Sequence, residues 1–365
     1  LNSEKIKNDL EKENELLNLK FELINHYSII DCPGHYEVMN TMLNNVDIMR
    51  NTIVILSAAL SIEKQPQLKQ HLAAIKLANI TNIIVCINKV DLVNKDDLMN
   101  VKYDLDNLLK SLDITPKIII PTAFKRKIGH QYLLQSIVTY FTNDFNSIKS
   151  NNLPIKGQIS RSFDINKSNK SYLNLKGGVI GGSILKGGPL KIGDKIEIRP
   201  GIFIKKKKGS CCKPIITTVQ SIKTEKNIID QAYPGCLIGI GTILDPFYCK
   251  DDQLVGNIFG FKGNMPDIYY PDITLKLYIS PELGEWKIKK NDIINLQIGT
   301  SSFNKTELIK IVKNTKSEKI AVFKLPKPCC IDDKSNIIIR KLSSDGIKKI
   351  IGKADFIKGE TIKII

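Results

Sequence analysis

The sequence predicts an α/β domain built on a doubly wound, mostly parallel sheet, followed by two antiparallel β-barrel domains. Up to residue 153, apolar strands alternate with amphipathic helices, which is the pattern of a doubly wound sheet. After Pro154 the helical periodicity ends, and short β-rich runs separated by Gly, Pro, Asn and Asp recur about every 8–12 residues, as in antiparallel barrels. A weaker break near residues 264–271 divides this second part. We therefore expect domains at residues 1–153, 154–266 and 267–365.

Each element of the first domain is predicted from its own pattern. Apolar residues form short continuous runs in the strands, whereas in the helices they recur with the period of a helical face. We expect strands at residues 21–30, 52–58, 83–87 and 117–121, and helices at residues 36–46, 66–78, 96–112 and 130–144. Residues 4–19 predict a further short, exposed helix, which we interpret as an insertion or a linker.

The charge of the chain is unevenly distributed. Residues 1–150 contain 17 Lys+Arg and 17 Asp+Glu, whereas residues 151–365 contain 37 and 20, so the whole net charge of +17 belongs to the second part. Abundant Lys, Asn and Ile can also reflect codon bias. The asymmetry nevertheless favours a polyanionic partner for the C-terminal half.

Composition also bears on the class of protein. No apolar run reaches the roughly 18 residues that a membrane helix requires, so we expect no membrane partner. The eight cysteines include no C-x-x-C, and adjacent pairs suit a zinc site poorly. We therefore expect reduced thiols and a cytoplasmic location.

The first motif with chemical content is Asp31-Cys32-Pro33-Gly34-His35, between a predicted strand and a predicted helix. An Asp at the end of a strand can hold the Mg²⁺ of a nucleotide through water, and a Gly allows its backbone N–H to approach a γ-phosphate. His35 is then the candidate catalytic residue, placed to position an attacking water. The alternative is an ordinary strand-to-helix turn capped by the Asp, because D-x-x-G alone is a weak signal.

The second motif, Asn88-Lys89-Val90-Asp91, follows another buried strand. A carboxylate at Asp91 can accept hydrogen bonds from N1–H and the exocyclic amine of guanine, a pattern that adenine lacks. Asn88 would tie neighbouring loops together, and the stem of Lys89 would cover the base. With D-x-x-G at this spacing, the motif predicts a site for GTP or GDP with Mg²⁺.

A third segment completes the predicted nucleotide site. Thr122-Ala123 follows the next strand and would offer a backbone N–H to the guanine oxygen. Phe124 comes directly after and is included in the predicted site. All three motifs then lie at the carboxyl ends of strands, where open α/β sheets bind ligands.

No G-x-x-x-x-G-K-[ST] phosphate-binding loop occurs in the 365 residues. We therefore expect this chain by itself to bind GTP weakly or not at all. Two explanations compete: the chain is a fragment of a longer protein, or it is a divergent form that lost nucleotide binding. The first residue, which is Leu, and the retention of Asp31, Gly34, Asn88 and Asp91 favour the fragment.

These motifs and several stretches of the barrels carry a resemblance to a known family. From about residue 20 to its end, the chain resembles translational GTPases and, among them, the gamma-subunit family of eukaryotic and archaeal translation initiation factor 2. The supporting stretches are Asp31–His35 with Met42–Asn44, His71–Ile75, Arg161–Lys167, Leu175–Gly187, Ile196–Gly201 and Pro234–Thr242. Tyr36, Arg50 and Phe124 depart from the family pattern.

The resemblance implies a GTP-binding domain and two β-barrels in a factor that binds GTP and initiator methionyl-tRNA. It implies delivery of that tRNA to the small ribosomal subunit, a heterotrimer with alpha and beta subunits, and hydrolysis of GTP to GDP and phosphate in the complete protein. GTPase-activating and nucleotide-exchange factors are further implied partners. The tRNA-binding residues that it suggests are Lys176, Gly177, Gly178, Gly181, Gly182 and Arg199. Alternatively, the glycines serve only barrel turns, and Arg199 only pairs with Glu197 or a partner subunit.

Two other functions remain open at the level of sequence. One is a nucleotide-independent scaffold that joins partner subunits and RNA through its barrels. The other is a related translational GTPase, such as a selenocysteine-specific or general elongation factor.

Overall fold

The computed structural model describes most of the chain in two compact units. The described residues are 27, 29–32, 51–141, 153–166, 175–206, 209–224, 227–235, 237–314, 319–332, 335–343 and 346–365. One unit comprises residues 1–31, 144–266 and 364–365, and the other comprises residues 32–143 and 267–363. The division into three domains stays a prediction.

The α/β domain contains a parallel sheet with the strand order β1-β2-β3. The strands are β1 (Asn51–Ser57), β2 (Asn82–Asn88) and β3 (Ile118–Pro121), and the helices are α1 (Pro66–Leu77), α2 (Lys95–Ser111) and α3 (His130–Tyr140). The interior of the central strand β2 is buried throughout, which explains its continuous apolar run. These bounds confirm the elements predicted from residue 52 onward, except that α3 ends four residues earlier than expected.

Local sequence determines where these helices begin. Helix α1 starts with Pro66, which has no backbone N–H. This costs nothing at the first position, because an N–H there would have no acceptor within the helix. Asn94 caps α2, because its side chain accepts a hydrogen bond of 2.8 Å from the backbone N–H of Asp97. Before α3, Gly129 has φ +81°, and a Cβ there would lie 2.6 Å from the carbonyl oxygen of Pro121.

The strand predicted at residues 21–30 is wrong at the residues that the structure describes. Tyr27, Ile29 and Ile30 lie outside any strand, and Ile29 is 88% exposed. An apolar run becomes a strand only when its backbone pairs with a neighbour, which local pattern does not ensure. The helices predicted at residues 4–19 and 36–46 lie outside the described residues.

The middle barrel is a closed antiparallel sheet of six strands. Its order is β11-β5-β4-β12-β7-β8, and the pairing of β8 with β11 closes it. The strands of this region are β4 (Lys156–Phe163), β5 (Val179–Lys186), β6 (Leu190–Lys191), β7 (Lys195–Lys205), β8 (Ser210–Thr224), β9 (Asn227–Ile229), β10 (Gln231–Ala232), β11 (Leu237–Thr242) and β12 (Ile258–Phe261). Closure leaves these six strands without an open edge.

The C-terminal barrel is closed in the same way by the pairing of its strands β13 and β16. Its order is β16-β15-β14-β18-β19-β13. The strands are β13 (Ile268–Ile279), β14 (Ile293–Ile298), β15 (Ser301–Asn314), β16 (Lys319–Lys324), β17 (Cys329–Cys330), β18 (Ile337–Leu342) and β19 (Lys348–Thr361). The last strand of the chain, β20 (Lys363–Ile364), belongs instead to the sheet of the middle barrel, where it pairs with β8. The architecture predicted from sequence, an α/β domain with a parallel sheet followed by two antiparallel barrels, is confirmed.

Helix α1 joins the α/β domain to the C-terminal barrel within one unit. Ile338 and Ile350 of the barrel belong to the same hydrophobic cluster as Leu72 and Ile75 of α1. At the centre of this junction the side-chain oxygen of Gln70, which is only 6% exposed, accepts a 2.7 Å hydrogen bond from the backbone N–H of Ile350. One hydrophobic cluster therefore spans the α/β domain and the adjoining face of the C-terminal barrel, which also has a core of its own.

The junction also holds a buried cation. Arg340 pairs with Ile350 in the β18–β19 ladder, so their side chains leave the same face of the sheet. The guanidinium is 2% exposed, and its described partner is the hydroxyl of Ser302 at 3.5 Å. Burial lowers the pKa of Arg340 to about 10. None of the described residues supplies a carboxylate partner for it, and a buried charge without such a partner is destabilising by itself.

We predict that Gln70→Ala weakens the junction. The substitution leaves the buried N–H of Ile350 without an acceptor, which should lower the free energy of unfolding by roughly 1–3 kcal/mol. Thermal unfolding of the variant measures the change. Gln67→Ala on the same helix is the matched control, and equal melting temperatures for the two variants would contradict the role of Gln70.

A second prediction concerns the neighbouring His71. Burial lowers the pKa of His71 below its ordinary value of 6.5, and its Nε2 has no hydrogen-bond partner among the described residues. The folded state therefore resists protonation that the unfolded state accepts, so stability is present above about pH 6.5 and falls as the pH drops further. His71→Leu should reduce the loss of melting temperature between about pH 7.5 and about pH 5.5. His130→Leu is the control, and an unchanged pH dependence in His71→Leu would refute the prediction.

Candidate nucleotide-binding site

Asn88 joins the segments that follow the three parallel strands. Its backbone carbonyl accepts a 2.7 Å hydrogen bond from the N–H of Ala58, after β1. Its side-chain oxygen accepts from the N–H of Phe124 at 3.1 Å and lies 3.5 Å from the hydroxyl of Thr122, both after β3. The residue thus ties neighbouring loops together, as expected, whereas its contact with a nucleotide stays a prediction.

The backbone N–H groups that were predicted to donate to the guanine oxygen already donate to carbonyls of the chain itself. The N–H of Thr122 donates to the carbonyl of Ile87 at 2.8 Å. The N–H of Ala123 donates to the carbonyl of Ile128 at 3.1 Å, and the N–H of Ile128 donates back to Ala123 at 3.2 Å. A guanine oxygen would therefore have to replace Ile128 as the acceptor for Ala123.

Phe124 has a packing role that its sequence position does not reveal. Its ring lies 5.5 Å from the imidazole of His130, at the start of α3. Together with the hydrogen bond from its N–H to Asn88, this contact fixes the loop between β3 and α3. The aromatic side chain of Phe124 thus stabilises the loop.

The backbone turns sharply between Asn88 and Asp91. Lys89 adopts the left-handed conformation with φ +66°, and its side chain is exposed. A short 3₁₀ turn at Val90–Leu92 follows and contains Asp91. The N–H of Val90 donates to the carbonyl of Thr122 at 3.2 Å, which fixes this turn against the segment after β3.

The carboxylate of Asp91 already has a partner that sequence reasoning missed. Its Oδ2 lies 2.9 Å from Nε of Arg126, and the Asp91 side chain is 15% exposed. Arg126 ends the 3₁₀ turn Phe124–Arg126, after β3. The available signal was the basic run Lys125-Arg126-Lys127 directly after Phe124, but thirty-odd residues separate it from Asp91, and only the adjacency of β2 and β3 brings the two together.

The predicted switch motif is only partly described. Asp31 is exposed, and Cys32 is half-buried and packs against the hydrophobic cluster of the α/β domain. Pro33, Gly34 and His35 lie outside the described residues. Among the residues that the structure describes, no group of three or more His, Cys, Asp or Glu is placed to hold a metal ion. Mg²⁺ bound with a nucleotide commonly uses only one or two carboxylates, so an exposed Asp31 fits a contact through water.

The glycines predicted to contact tRNA have distinct structural roles. A Cβ on Gly177 would overlap the carbonyl of Thr242, one on Gly178 the sulfur of Cys249, and one on Gly182 the carbonyl of Gln158. Gly181 is less restricted, because a Cβ there would lie 3.3 Å from the Cβ of Arg161. These contacts support the alternative interpretation for Gly177, Gly178 and Gly182, namely close packing within the barrel. Their tRNA contacts stay predictions.

Lys176 and Arg199 differ in how accessible they are. Lys176 is exposed, and Asn166 holds its backbone through two hydrogen bonds of 2.8 Å. Arg199 is largely buried: its Nε donates to Glu197 at 2.6 Å, and its Nη1 donates to the carbonyl of Pro266 at 3.0 Å. The ion pair with Glu197, which the sequence left as an alternative, is thus confirmed, and a tRNA contact through Arg199 stays a prediction.

Comparison with known proteins identifies the family. Residues 18–143 match the family described as "Elongation factor Tu GTP binding domain". The chain is 34% identical to the gamma subunit of eukaryotic translation initiation factor 2 from Encephalitozoon cuniculi, over 94% of this chain and 75% of that protein. It is 32% identical to the gamma subunit from Schizosaccharomyces pombe, over 96% of this chain and 78% of that protein. The chain belongs to the gamma-subunit family of translation initiation factor 2.

An archaeal relative and a solved structure extend the comparison. The gamma subunit of translation initiation factor 2 from Archaeoglobus fulgidus is 32% identical, over 88% of this chain and 74% of that protein. The elongation factor SelB from Methanococcus maripaludis, in complex with the GTP analogue GPPNHP, superposes with a TM-score of 0.70 over 92% of this chain and 70% of that chain, at 21% identity. At 21% identity, the likeness to SelB shows the fold alone. The gamma subunits are more similar in sequence, so they favour an initiation factor over an elongation factor.

As a member of this gamma-subunit family, the chain is a translation initiation factor subunit of the translational GTPase class that uses a guanine nucleotide. No helix in the described part of the chain is both long and apolar enough to cross a membrane.

The two neighbouring glycines of β5 allow a matched test of their packing roles. We predict that Gly182→Ala markedly lowers the melting temperature, because its Cβ would overlap the backbone of Gln158, which cannot move without disturbing the β4–β5 ladder. Gly181→Ala should be tolerated better, because it meets a side chain. Similar thermal stability of the two variants would contradict this assignment.

Proposed function

We propose that this chain is the body of a GTP-dependent switch that binds initiator methionyl-tRNA and delivers it to the small ribosomal subunit, as the core of a heterotrimer with alpha and beta subunits. Membership of the gamma-subunit family supports the proposal. The main observation behind it is that Asn88 hydrogen-bonds to the loops after β1 and β3. Asp91 follows Asn88 closely and therefore lies at the carboxyl edge of the sheet. A ligand site is expected at this edge in an open α/β sheet.

The residues at this edge have the chemistry for guanine. Asp91 would accept hydrogen bonds from N1–H and the exocyclic amine of the base, and the exposed Lys89 stem would lie along its face. Thr122, Ala123 and Phe124 form the loop facing Asp91, and the Ala123 N–H would turn from Ile128 to the guanine oxygen. Asn88 would keep these two loops at a fixed distance from each other, both with and without bound nucleotide.

The phosphate side of the site is assigned from the D-x-x-G motif. Mg²⁺, when bound with the nucleotide, would neutralise phosphate charge, and Asp31 would hold it through water. Gly34 would contact the γ-phosphate through its N–H, and His35 would position the attacking water for hydrolysis to GDP and phosphate. Loss of the Gly34 contact after hydrolysis would release the following segment. GTPase-activating and nucleotide-exchange factors would act on this equilibrium.

Charge supports tRNA as the polyanionic partner. Residues 151–365 carry 37 Lys+Arg against 20 Asp+Glu. Among the proposed tRNA contacts we favour Lys176, because its side chain is exposed to solvent. Asn166 holds the Lys176 backbone in place through two hydrogen bonds. Such contacts would make tRNA binding depend strongly on salt.

A nucleotide-independent scaffold is the second candidate. The observation in its favour is that Asp91 and the Ala123 N–H are both engaged within the chain. Affinity of the full-length protein for initiator tRNA, measured with GTP, with GDP and without nucleotide, distinguishes the two. Equal affinities would favour the scaffold, and tighter binding with GTP would favour the switch.

Asp91→Asn in the full-length protein tests the guanine assignment directly. An amide cannot accept both hydrogen bonds from guanine, so GDP affinity should fall at least about tenfold, and by up to about 10⁴. Competition against a fluorescent GDP measures the loss.

Xanthosine diphosphate provides the matched control for this substitution. Xanthine carries a carbonyl in place of the exocyclic amine, so the amide of the variant can donate to it. The variant should therefore bind xanthosine diphosphate better than the unmodified protein does. Unchanged GDP affinity in Asp91→Asn would remove the guanine assignment.

A further inference from the structure

The ion pair between Asp91 and Arg126 occupies the carboxylate that the proposed function assigns to guanine. Oδ2 of Asp91 lies 2.9 Å from Nε of Arg126. The Asp91 side chain is 15% exposed, whereas that of Arg126 is 65% exposed. The carboxylate is thus fixed in the protein, and the guanidinium reaches it from the solvent side.

The backbone places Arg126 at this position. The N–H of Arg126 donates to the carbonyl of Ala123 at 2.9 Å, within the turn that Phe124 ties to Asn88. Lys127 follows in the left-handed conformation with φ +59° and ends the turn. The same hydrogen bonds that hold the two loops together therefore direct Arg126 toward Asp91.

A guanidinium and the edge of guanine offer a carboxylate the same kind of partner. Each presents N–H donors on a planar N–C–N group, in a geometry that matches two carboxylate oxygens. To distinguish guanine from adenine, both oxygens of Asp91 must accept hydrogen bonds from the base. They cannot both do so while the guanidinium lies against Oδ2.

We infer that Arg126 is a competitor for guanine supplied by the chain itself, and that it sets the affinity of the site by holding Asp91 until the base displaces it. The inference rests on the proposed function, because it takes Asp91 as the residue that recognises guanine. In this role Arg126 lowers the affinity for GDP and GTP by the same factor, since the two nucleotides share the base. It also gives Asp91 a partner whenever the base leaves.

The exposure of Arg126 limits the size of this effect. Ion pairs with an exposed partner are weak, because water competes for both groups and salt screens them. We therefore expect removal of the guanidinium to raise affinity roughly twofold to fivefold. The gain should shrink as salt is added, because the competing ion pair is screened.

The test is equilibrium binding of fluorescent GDP, and then of GTP, to the full-length protein and its variants Arg126→Ala and Arg126→Gln. Both variants should bind each nucleotide more tightly, by similar factors. Lys125→Ala is the matched control, because it removes an adjacent positive charge that is not bonded to Asp91 in the structure. It should bind no more tightly than the unmodified protein. Thermal unfolding checks that each variant is folded.

The possible outcomes separate this inference from the proposed function. Weaker binding in the Arg126 variants would mean that the guanidinium supports the bound base, and equal binding would mean that it does not compete. A gain that Lys125→Ala matches would mean that only net charge matters. Each of these results overturns the inference, while Asp91→Asn tests the guanine assignment by itself.

Discussion

The hydrogen bonds of Asn88 are the interactions on which the geometry at the carboxyl edge of the parallel sheet depends, where the candidate nucleotide site lies. β2 is the central strand of the sheet and is buried, so the position of its last residue is fixed by packing on both faces. From that position one residue accepts hydrogen bonds from the segments after β1 and after β3. The left-handed turn at Lys89 and the position of Asp91 follow from this anchor. An apolar side chain at Asn88 would leave the N–H of Phe124 without its acceptor and would separate the two loops.

The second constraint is the hydrophobic cluster that the α/β domain shares with one face of the C-terminal barrel. Helix α1 contributes Leu72 and Ile75 to a cluster that also contains Ile338 and Ile350. The same junction also contains buried polar groups, namely the hydrogen bond from the Ile350 N–H to Gln70 and the side chain of Arg340. Polar groups at a buried junction are costly when a partner is missing, so they restrict the junction to one arrangement. Within this unit, the barrel is therefore part of the structural support of the sheet.

The sequence and the structure agree where local pattern is sufficient and differ where pairing decides. Helices α1 and α2 were predictable because helical periodicity is a local property of the sequence. The strand at residues 21–30 was not correct at its described residues, because a strand depends on a partner that its own sequence does not specify. Arg199 illustrates a related limit: the family resemblance suggested a tRNA contact, whereas the fold supplies Glu197 and the carbonyl of Pro266 as partners.

The sequence by itself determined the fold class, the family resemblance and the segments of the candidate nucleotide site, because each depends on residue types at short, regular spacing. It identified Asn88, Asp91 and Thr122 to Phe124 without showing how they meet. The tertiary structure decided which groups are already engaged, above all the pair of Asp91 with Arg126 and the exchange of hydrogen bonds between Ala123 and Ile128. The reason is physical: hydrogen bonds and ion pairs depend on distances of a few ångströms between residues far apart in the chain, and only the register of neighbouring strands sets those distances.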